Sequence, residues 1–368
     1  MLGKIGIITH YYNSTNYGGV LQSYALCKYL NQNGCEAKQI RYNTVKYPIQ
    51  LRVKHFLAYH YMQLKSIVHP VSQYKISKRK KAFTAFRNSI PHTEMVYSDK
   101  NLFETNELFD GFITGSDQVW HPSVINKGYS LSFTVKPKFS YAASIASDVI
   151  PDTKKPYYDE IIKSFDSISV RERKAQELFA IETKLVLDPI FLLPFEDWDT
   201  LASERIIDEE YVFCYFLGHS KEARDAAIDF AKKSSLKVVS IPYLNNNYII
   251  NDEFGDYSLS DISPCDFLSL IKNAKYVLTD SFHAICFSFI FKRQFFVFER
   301  KSKSVMGSRI TDILNTLDLQ SRYLDDPGKI VTRKNDDVDY RKKRPVFEIL
   351  QHESFSFIDS IIKYCRYE

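Results

Sequence analysis

The chain has 368 residues, 45% hydrophobic and 25% charged, an ordinary soluble composition that excludes disordered, fibrous and collagenous architectures. At roughly 100 to 200 residues per domain, that length predicts two domains, and the formal charge of +5 is by itself too weak to imply nucleic acid, which is not expected as a partner. The six cysteines have no zinc-type or redox-type spacing and read as buried thiols, and no uncharged apolar run reaches the ~20 residues of a membrane span, so a cytoplasmic protein is expected.

Taken in chain order, Lys4 to Thr9 reads as a strand, followed by a helix carrying Val20, Leu21, Tyr24, Leu26, Tyr29 and Leu30 that stops at Gly34. Further strands are predicted at Glu36 to Tyr42, Phe109 to Thr114, Lys138 to Ser144, Ser167 to Val170 and Lys184 to Leu187. Asp188 to Trp198, with two prolines and an acidic turn, makes a domain junction. The alternation then restarts, with strands at Tyr211 to Leu217, Lys237 to Pro242, Tyr276 to Thr279 and Phe295 to Phe298. Helices are expected near Lys221 to Lys233, Pro264 to Lys272, His283 to Phe291 and Arg309 to Leu317. Apolar strands separated by helices argue parallel sheets covered on both faces. The expected α/β architecture is two Rossmann-like domains facing across a cleft, residues 1–190 and 191–335, with a closing helix in the tail 336–368.

Between Ala37 and Thr93 there are twelve Lys or Arg and no Asp or Glu, the one marked charge asymmetry of the chain. Val53, Phe56, Leu57, Tyr61, Leu64, Ile67 and Val68 share a helical face within this insertion. That makes either a basic amphipathic helix lying on an anionic membrane surface or a core-packed helix with a solvated basic side.

In an open parallel sheet, ligands bind beyond the carboxyl ends of the strands, so the strand exits are where chemistry is sought. After the first strand comes His10-Tyr11-Tyr12-Asn13-Ser14-Thr15-Asn16-Tyr17-Gly18-Gly19. Its paired glycines permit close backbone approach and its helix start offers amides, although a tight turn with no ligand accounts for the glycines too. Thr114-Gly115-Ser116-Asp117-Gln118-Val119-Trp120 packs a hydroxyl, a carboxylate, an amide and an indole into one exit, suited to sugar hydroxyls, with Asp117 available as a base; helix capping is the duller account. Arg171, in Ser169-Val170-Arg171-Glu172, offers a guanidinium fork for phosphate or carboxylate, or is a surface arginine. His283, in Thr279-Asp280-Ser281-Phe282-His283-Ala284, is the one histidine of nine singled out, because it follows a strand and opens a helix. No P-loop, G-x-G-x-x-G, H-E-x-x-H or G-x-S-x-G is present, so nicotinamide oxidoreductases, P-loop kinases, zincins and α/β-hydrolases lose ground.

Asn16-Tyr17-Gly18-Gly19 with Leu21-Gln22 and Ala25-Leu26, then Gly115 to Trp120, Ser169 to Glu172, Asp188-Pro189, Thr279 to Ala284 and Arg309-Ile310, in that order, resemble the polysaccharide pyruvyl transferases over roughly residues 4 to 320. The resemblance implies a GT-B-like fold and transfer of a pyruvyl group from phosphoenolpyruvate to two hydroxyls of a sugar, closing a cyclic ketal in a capsule or exopolysaccharide precursor. The acceptor would be a polyprenyl-pyrophosphate-linked saccharide, met by an enzyme peripheral to the inner face of the cytoplasmic membrane. His283 would be the proton shuttle and Arg171 the anion clamp, with Ser281, Lys303 and Arg309 as further donor contacts and Arg309 or Lys303 as the second cation. Asn16, Tyr17, Gly18, Ser116, Asp117 and Gln118 would orient the acceptor, with Asp117 as its base; no metal or cofactor is called for. The chain departs from the family at Ser281, where some relatives carry an arginine. Two other readings stay open: a glycosyltransferase of the same plan using a nucleotide sugar, and a non-catalytic polysaccharide-binding or assembly subunit.

Overall fold

The computed structural model describes residues 3–44, 70–179, 182–242, 244–245, 248–249, 254–300, 307–333 and 336–367. Lys303 and the stripe from Val53 to Val68 lie outside the described residues. Seven strands, β1 (Lys4–Ile8), β2 (Glu36–Tyr42), β3 (His92–Tyr97), β4 (Gly111–Thr114), β5 (Lys138–Ala143), β6 (Ser167–Val170) and β7 (Lys184–Leu185), form a parallel sheet in the order β3-β2-β1-β4-β5-β6-β7. The central strands are buried on both faces, as their short apolar runs predict. The order reverses between β1 and β4, so a crevice opens beyond their carboxyl ends.

A second set contains β8 (Tyr211–Tyr215), β9 (Lys237–Ser240), the small hairpin β10 (Leu244–Asn245) and β11 (Tyr248–Ile249), then β12 (Tyr257–Ser258), β13 (Tyr276–Thr279), β14 (Gln294–Phe298) and β15 (Tyr323–Leu324). All but the hairpin make a parallel sheet, β12-β9-β8-β13-β14-β15, whose reversal falls between β8 and β13. The two Rossmann-like domains meet at these reversal points.

The helices are α1 (Tyr17–Gln32), α2 (Pro70–Ser89), α3 (Lys155–Lys163), α4 (Arg173–Leu178), α5 (Phe195–Leu201), α6 (Lys221–Ser234), α7 (Pro264–Lys272), α8 (Phe282–Ile290), α9 (Gly307–Thr316) and α10 (Pro345–Tyr367). Asn16 caps α1 by accepting the Gly19 N–H at 3.1 Å. Tyr17 then crosses the domain junction: its ring stacks on Phe267 of α7 at 4.5 Å and its hydroxyl donates to Ile262 O at 2.9 Å. One buried apolar cluster consequently runs through both domains, from Ile5 through Tyr17 and Trp198 to Phe287. The tail helix α10 returns from the second sheet to the first, where the Leu187 N–H donates to Ser354 Oγ at 2.8 Å and Tyr364 meets Phe139 edge-on at 5.4 Å.

The described part of the basic insertion is not one solvated face. α2 turns Ile76, Arg79, Phe83 and Phe86 inward at helical spacing, and the Arg79 guanidinium lies 4.7 Å over the Tyr17 ring. Lys78 pairs with Asp261 at 2.8 Å, and of the run Lys78 to Lys81 only Lys80 and Lys81 are exposed without such a partner among the described residues. The expected strands appear within a few residues of their predicted bounds. β3 was not foreseen, because it is an edge strand with Glu94, Met95 and Val96 facing solvent and no apolar run to announce it.

Candidate functional site

The two reversal points put four strand exits side by side. Gly18, in the first turn of α1, lies against His283, in the first turn of α8: a Cβ at Gly18 would sit 2.0 Å from His283 Nδ1. Only a glycine lets that ring approach, so the paired glycines do more than turn the chain. Gly19 is less constrained, with His10 O at 3.2 Å and Asp117 Oδ2 at 3.4 Å from its Cβ position.

After β4 the chain turns sharply. Gly115 has φ +106°, and any Cβ there would meet Tyr141 O at 2.3 Å; Asp117 follows in the left-handed region at φ 69°. This geometry buries Ser116, whose Oγ lies 2.9 Å from Ala142 O and 3.2 Å from Asp188 Oδ2. Arg171, at the end of β6, donates through Nη1 to Asp188 Oδ2 at 2.5 Å, and its Nη2 is 3.7 Å from Asp117 Oδ1. Its guanidinium also lies 4.3 Å over the Phe282 ring. Glu172 uses Oε1 to accept from Ser144 Oγ and from the Ile145 and Ala146 amides at 2.8 to 2.9 Å, fixing the exit of β5.

Asp188 is the hub. It receives Arg171, lies 3.5 Å from His283 Nε2, and caps the turn Pro189–Leu192 by accepting the Ile190 N–H. Burial pushes its carboxyl up, but the imidazole and the guanidinium outweigh that and hold it well below the ordinary 3.8. Asp117 is likewise lowered: burial opposes ionisation, and Arg171, His10, His283 and Arg309 together overcome it. The Arg171 guanidinium is held above its ordinary range because Asp188, Asp117 and Glu172 outweigh its desolvation.

Arg309 reaches the same place from α9. With the Gln118 amide oriented carbonyl-inward, its oxygen accepts from both Nη1 and Nη2 at 2.9 Å. Burial, and then the like charge of Arg171, pull the Arg309 guanidinium down to about 10. Among the described residues, Arg171 Nε and Nη2, Arg309 Nε and His283 Nε2 are buried without a hydrogen-bond partner. Beside the arginine pair is a small cavity of about 20 Å³, lined by Arg171, Asp188, Phe282 and Arg309 but not by Asp117 or His283.

The structure thus brings together Gly18, Ser116, Asp117, Gln118, Arg171, His283 and Arg309. It does not add Asn16, an exposed cap, or Tyr17, whose only side-chain polar atom bonds Ile262 O inside the junction; both corrections follow from the start of α1. Ser281 is 5% exposed at the cap position of α8, with its N–H bonded to Thr279 Oγ1. Sequence reasoning missed Asp188 as a site residue, reading Asp188-Pro189 as a junction. It also passed over His10, which lies at the first strand exit with Nδ1 3.1 Å from the Tyr129 hydroxyl.

Similar folds span the whole chain. UDP-N-acetylglucosamine 2-epimerase from Rickettsia bellii superposes with a TM-score of 0.57 at 11% identity, covering 100% of this chain and 98% of that one. The Methanocaldococcus jannaschii UDP-GlcNAc 2-epimerase in complex with UDP-GlcNAc and UDP gives 0.52 at 10% identity, with 98% and 100% covered. UGT89C1 from Arabidopsis thaliana gives 0.51 at 11%, with 99% and 100% covered. At such identities these likenesses establish the GT-B fold and nothing finer. No curated protein matches the sequence. A family model does: polysaccharide pyruvyl transferase matches residues 16–302, from the cap of α1 through the exits that hold Asp117, Arg171 and His283, and the chain belongs to that family.

Proposed function

We propose that the protein transfers a pyruvyl group from phosphoenolpyruvate to two hydroxyls of a sugar in a cell-surface polysaccharide precursor, forming a cyclic ketal. The observation that carries this reading is the pair of buried guanidiniums, Arg171 and Arg309, with unpartnered donors beside His283. Arg171 is already matched by Asp188, Asp117 and Glu172, so the charge that favours a further anion is that of buried Arg309 beside it, and phosphoenolpyruvate brings a phosphate and a carboxylate. Arg309 would supply the second cation that Ser281 does not. Protonation of the donor's methylene carbon by His283 would leave an oxocarbenium-like centre open to attack by a sugar hydroxyl. Asp188, in contact with His283 Nε2, would orient the ring and balance its charge. The exposed Lys80 and Lys81, in an insertion rich in cations, support reversible attraction to an anionic membrane bearing lipid-linked acceptors.

The test incubates the full-length protein with phosphoenolpyruvate and a panel of p-nitrophenyl hexosides and N-acetylhexosaminides, followed by lipid-linked saccharides. Phosphate release matched by the mass gain of one pyruvyl ketal is expected. Turnover of UDP-sugars with no use of phosphoenolpyruvate would replace this reading by nucleotide-sugar chemistry on the same fold.

A further inference from the structure

The proposed reaction removes two protons from the acceptor, one from each hydroxyl, and places one on carbon and one on the departing phosphate. His283 accounts for the proton given to carbon. The other end of the transfer needs a group that takes protons from hydroxyls near neutral pH. Asp117 is poorly suited, since Arg171, His10, His283 and Arg309 all favour its charged form and weaken it as a base. Beside it stands an imidazole.

His10 leaves β1 at its carboxyl end, half-buried. Its ring packs edge-on against Tyr129 at 4.8 Å, and its Nδ1 is 3.1 Å from the Tyr129 hydroxyl. Tyr129 is itself immobilised: it is 3% exposed, Tyr42 meets its ring edge-on at 5.8 Å, and burial keeps its phenol protonated well past neutrality. The backbone of His10 and the carboxylate of Asp117 converge on one point over Gly19, 3.2 and 3.4 Å from its Cβ position. Among the described residues, this imidazole meets the Tyr129 hydroxyl directly and acts by charge on Asp117, which also feels Arg171, His283 and Arg309.

We infer that His10 is the proton acceptor for the sugar hydroxyls, with Tyr129 as its positioning residue. This rests on the pyruvyl-transfer reading and deepens it. In this role the Nδ1–H donates to the Tyr129 hydroxyl 3.1 Å away and Nε2 is the basic nitrogen, a tautomer that the spectra below decide. As the first hydroxyl attacks, its O–H bond breaks, the proton goes to Nε2, and the oxygen pair forms the bond to the central donor carbon. The π pair of the enol ether meanwhile takes a proton from His283 at the methylene carbon. Phosphate then leaves with the C–O pair and takes the proton from His10. The second hydroxyl attacks the same carbon, gives its proton to the regenerated Nε2, and that proton returns through solvent to His283. One hydroxyl proton ends on phosphate and the other restores the shuttle, so the cycle balances.

Two measurements test it. With phosphoenolpyruvate and a glycoside that the wild type uses, His10→Gln should lower kcat about 10²- to 10³-fold, leave the donor KM within about twofold, and abolish the acidic limb of the kcat profile. Tyr129→Phe should cost less, about 10-fold, and move that limb. His10→Gln with turnover and profile close to wild type overturns the assignment, even where the pyruvyl reading stands. The second measurement needs no acceptor: ¹⁵N imidazole spectra of the ligand-free protein should show His10 as the Nδ1–H tautomer, lost in Tyr129→Phe. An Nε2–H tautomer in the wild type, or spectra indifferent to Tyr129→Phe, overturns the geometry on which the inference stands. Absence of phosphate release with every glycoside and lipid-linked saccharide would instead sink pyruvyl transfer.

Discussion

The two strand-exit regions that meet at the cleft are built on opposite plans. On the first-sheet side, Asp117, Asp188 and Glu172 surround one arginine, and the cation is held by side chains from three separate exits. On the second-sheet side, Asp280 accepts the Leu217 and Gly218 amides at 2.7 and 2.8 Å and pairs with Arg300, so its carboxylate clips one loop to another. That side lends the centre two side chains, His283 and Arg309, each reaching across to the first domain. The contrast teaches that the first domain fixes the electrostatics of the centre and the second reaches into it with two side chains. Removing charge should therefore hurt the fold most on one side and turnover most on the other.

The largest effect on stability is expected from Asp188→Ala, which strands the buried Arg171 guanidinium; breaking such a pair costs about 3–5 kcal/mol, read by urea denaturation. Asp280→Ala exposes the contrast, because its partner Arg300 is partly solvated, and a loss of only about 1–2 kcal/mol is expected. Should the two substitutions destabilise equally, the asymmetry between the sides is wrong.

On turnover the order reverses. His283→Ala should lower kcat about 10²- to 10⁴-fold with the melting profile little changed. Gly18→Ala should approach that loss, about 10²-fold, because its methyl occupies the place of the imidazole, whereas Gly19→Ala has room to be accommodated with a few-fold effect. Equal activity of the two glycine variants would break the assignment of the His283 contact.

Acid sharpens the comparison further. The Asp188 and Asp117 carboxyls both lie below the ordinary 3.8, so their stabilisation is complete above that pH and is lost as pH falls through their lower folded-state values. Asp188→Asn should flatten this acid dependence in pH-resolved melting curves. The smallest effect belongs to the surface: Lys80→Glu with Lys81→Glu should weaken binding to anionic liposomes by about 1 kcal/mol per residue, an effect that salt erases. Sedimentation unaffected by salt or by this pair would leave α2 without a membrane role.

Much of the fold was legible because it is written locally. Ser167 to Val170 and Tyr276 to Thr279 are strands at their predicted bounds, since a doubly covered strand is a short apolar run and little else. Asp117, Arg171 and His283 were legible for a related reason, as polar residues placed where such runs end. Asp188 was not, because its meaning lies in Ser116, 72 residues away, and in a histidine of the other domain. Arg79 is hidden among its neighbours: flanked by Lys78, Lys80 and Lys81 it looks like surface charge, and only the helical turn separates it from them. His10 carries no motif, and a tyrosine 119 residues distant gives it an orientation.

The return of α10 to the first sheet has a mechanical consequence. The polypeptide crosses the domain junction twice, once between β7 and β8 and once on the way into α10, whose far end packs Cys365 O against Gly3 so closely that a Cβ there would lie 2.3 Å away. Two covalent tethers, with the buried apolar cluster that runs through both domains, oppose sliding or twisting of one sheet over the other. Gly18 against His283, and Gln118 against Arg309, are so kept in register.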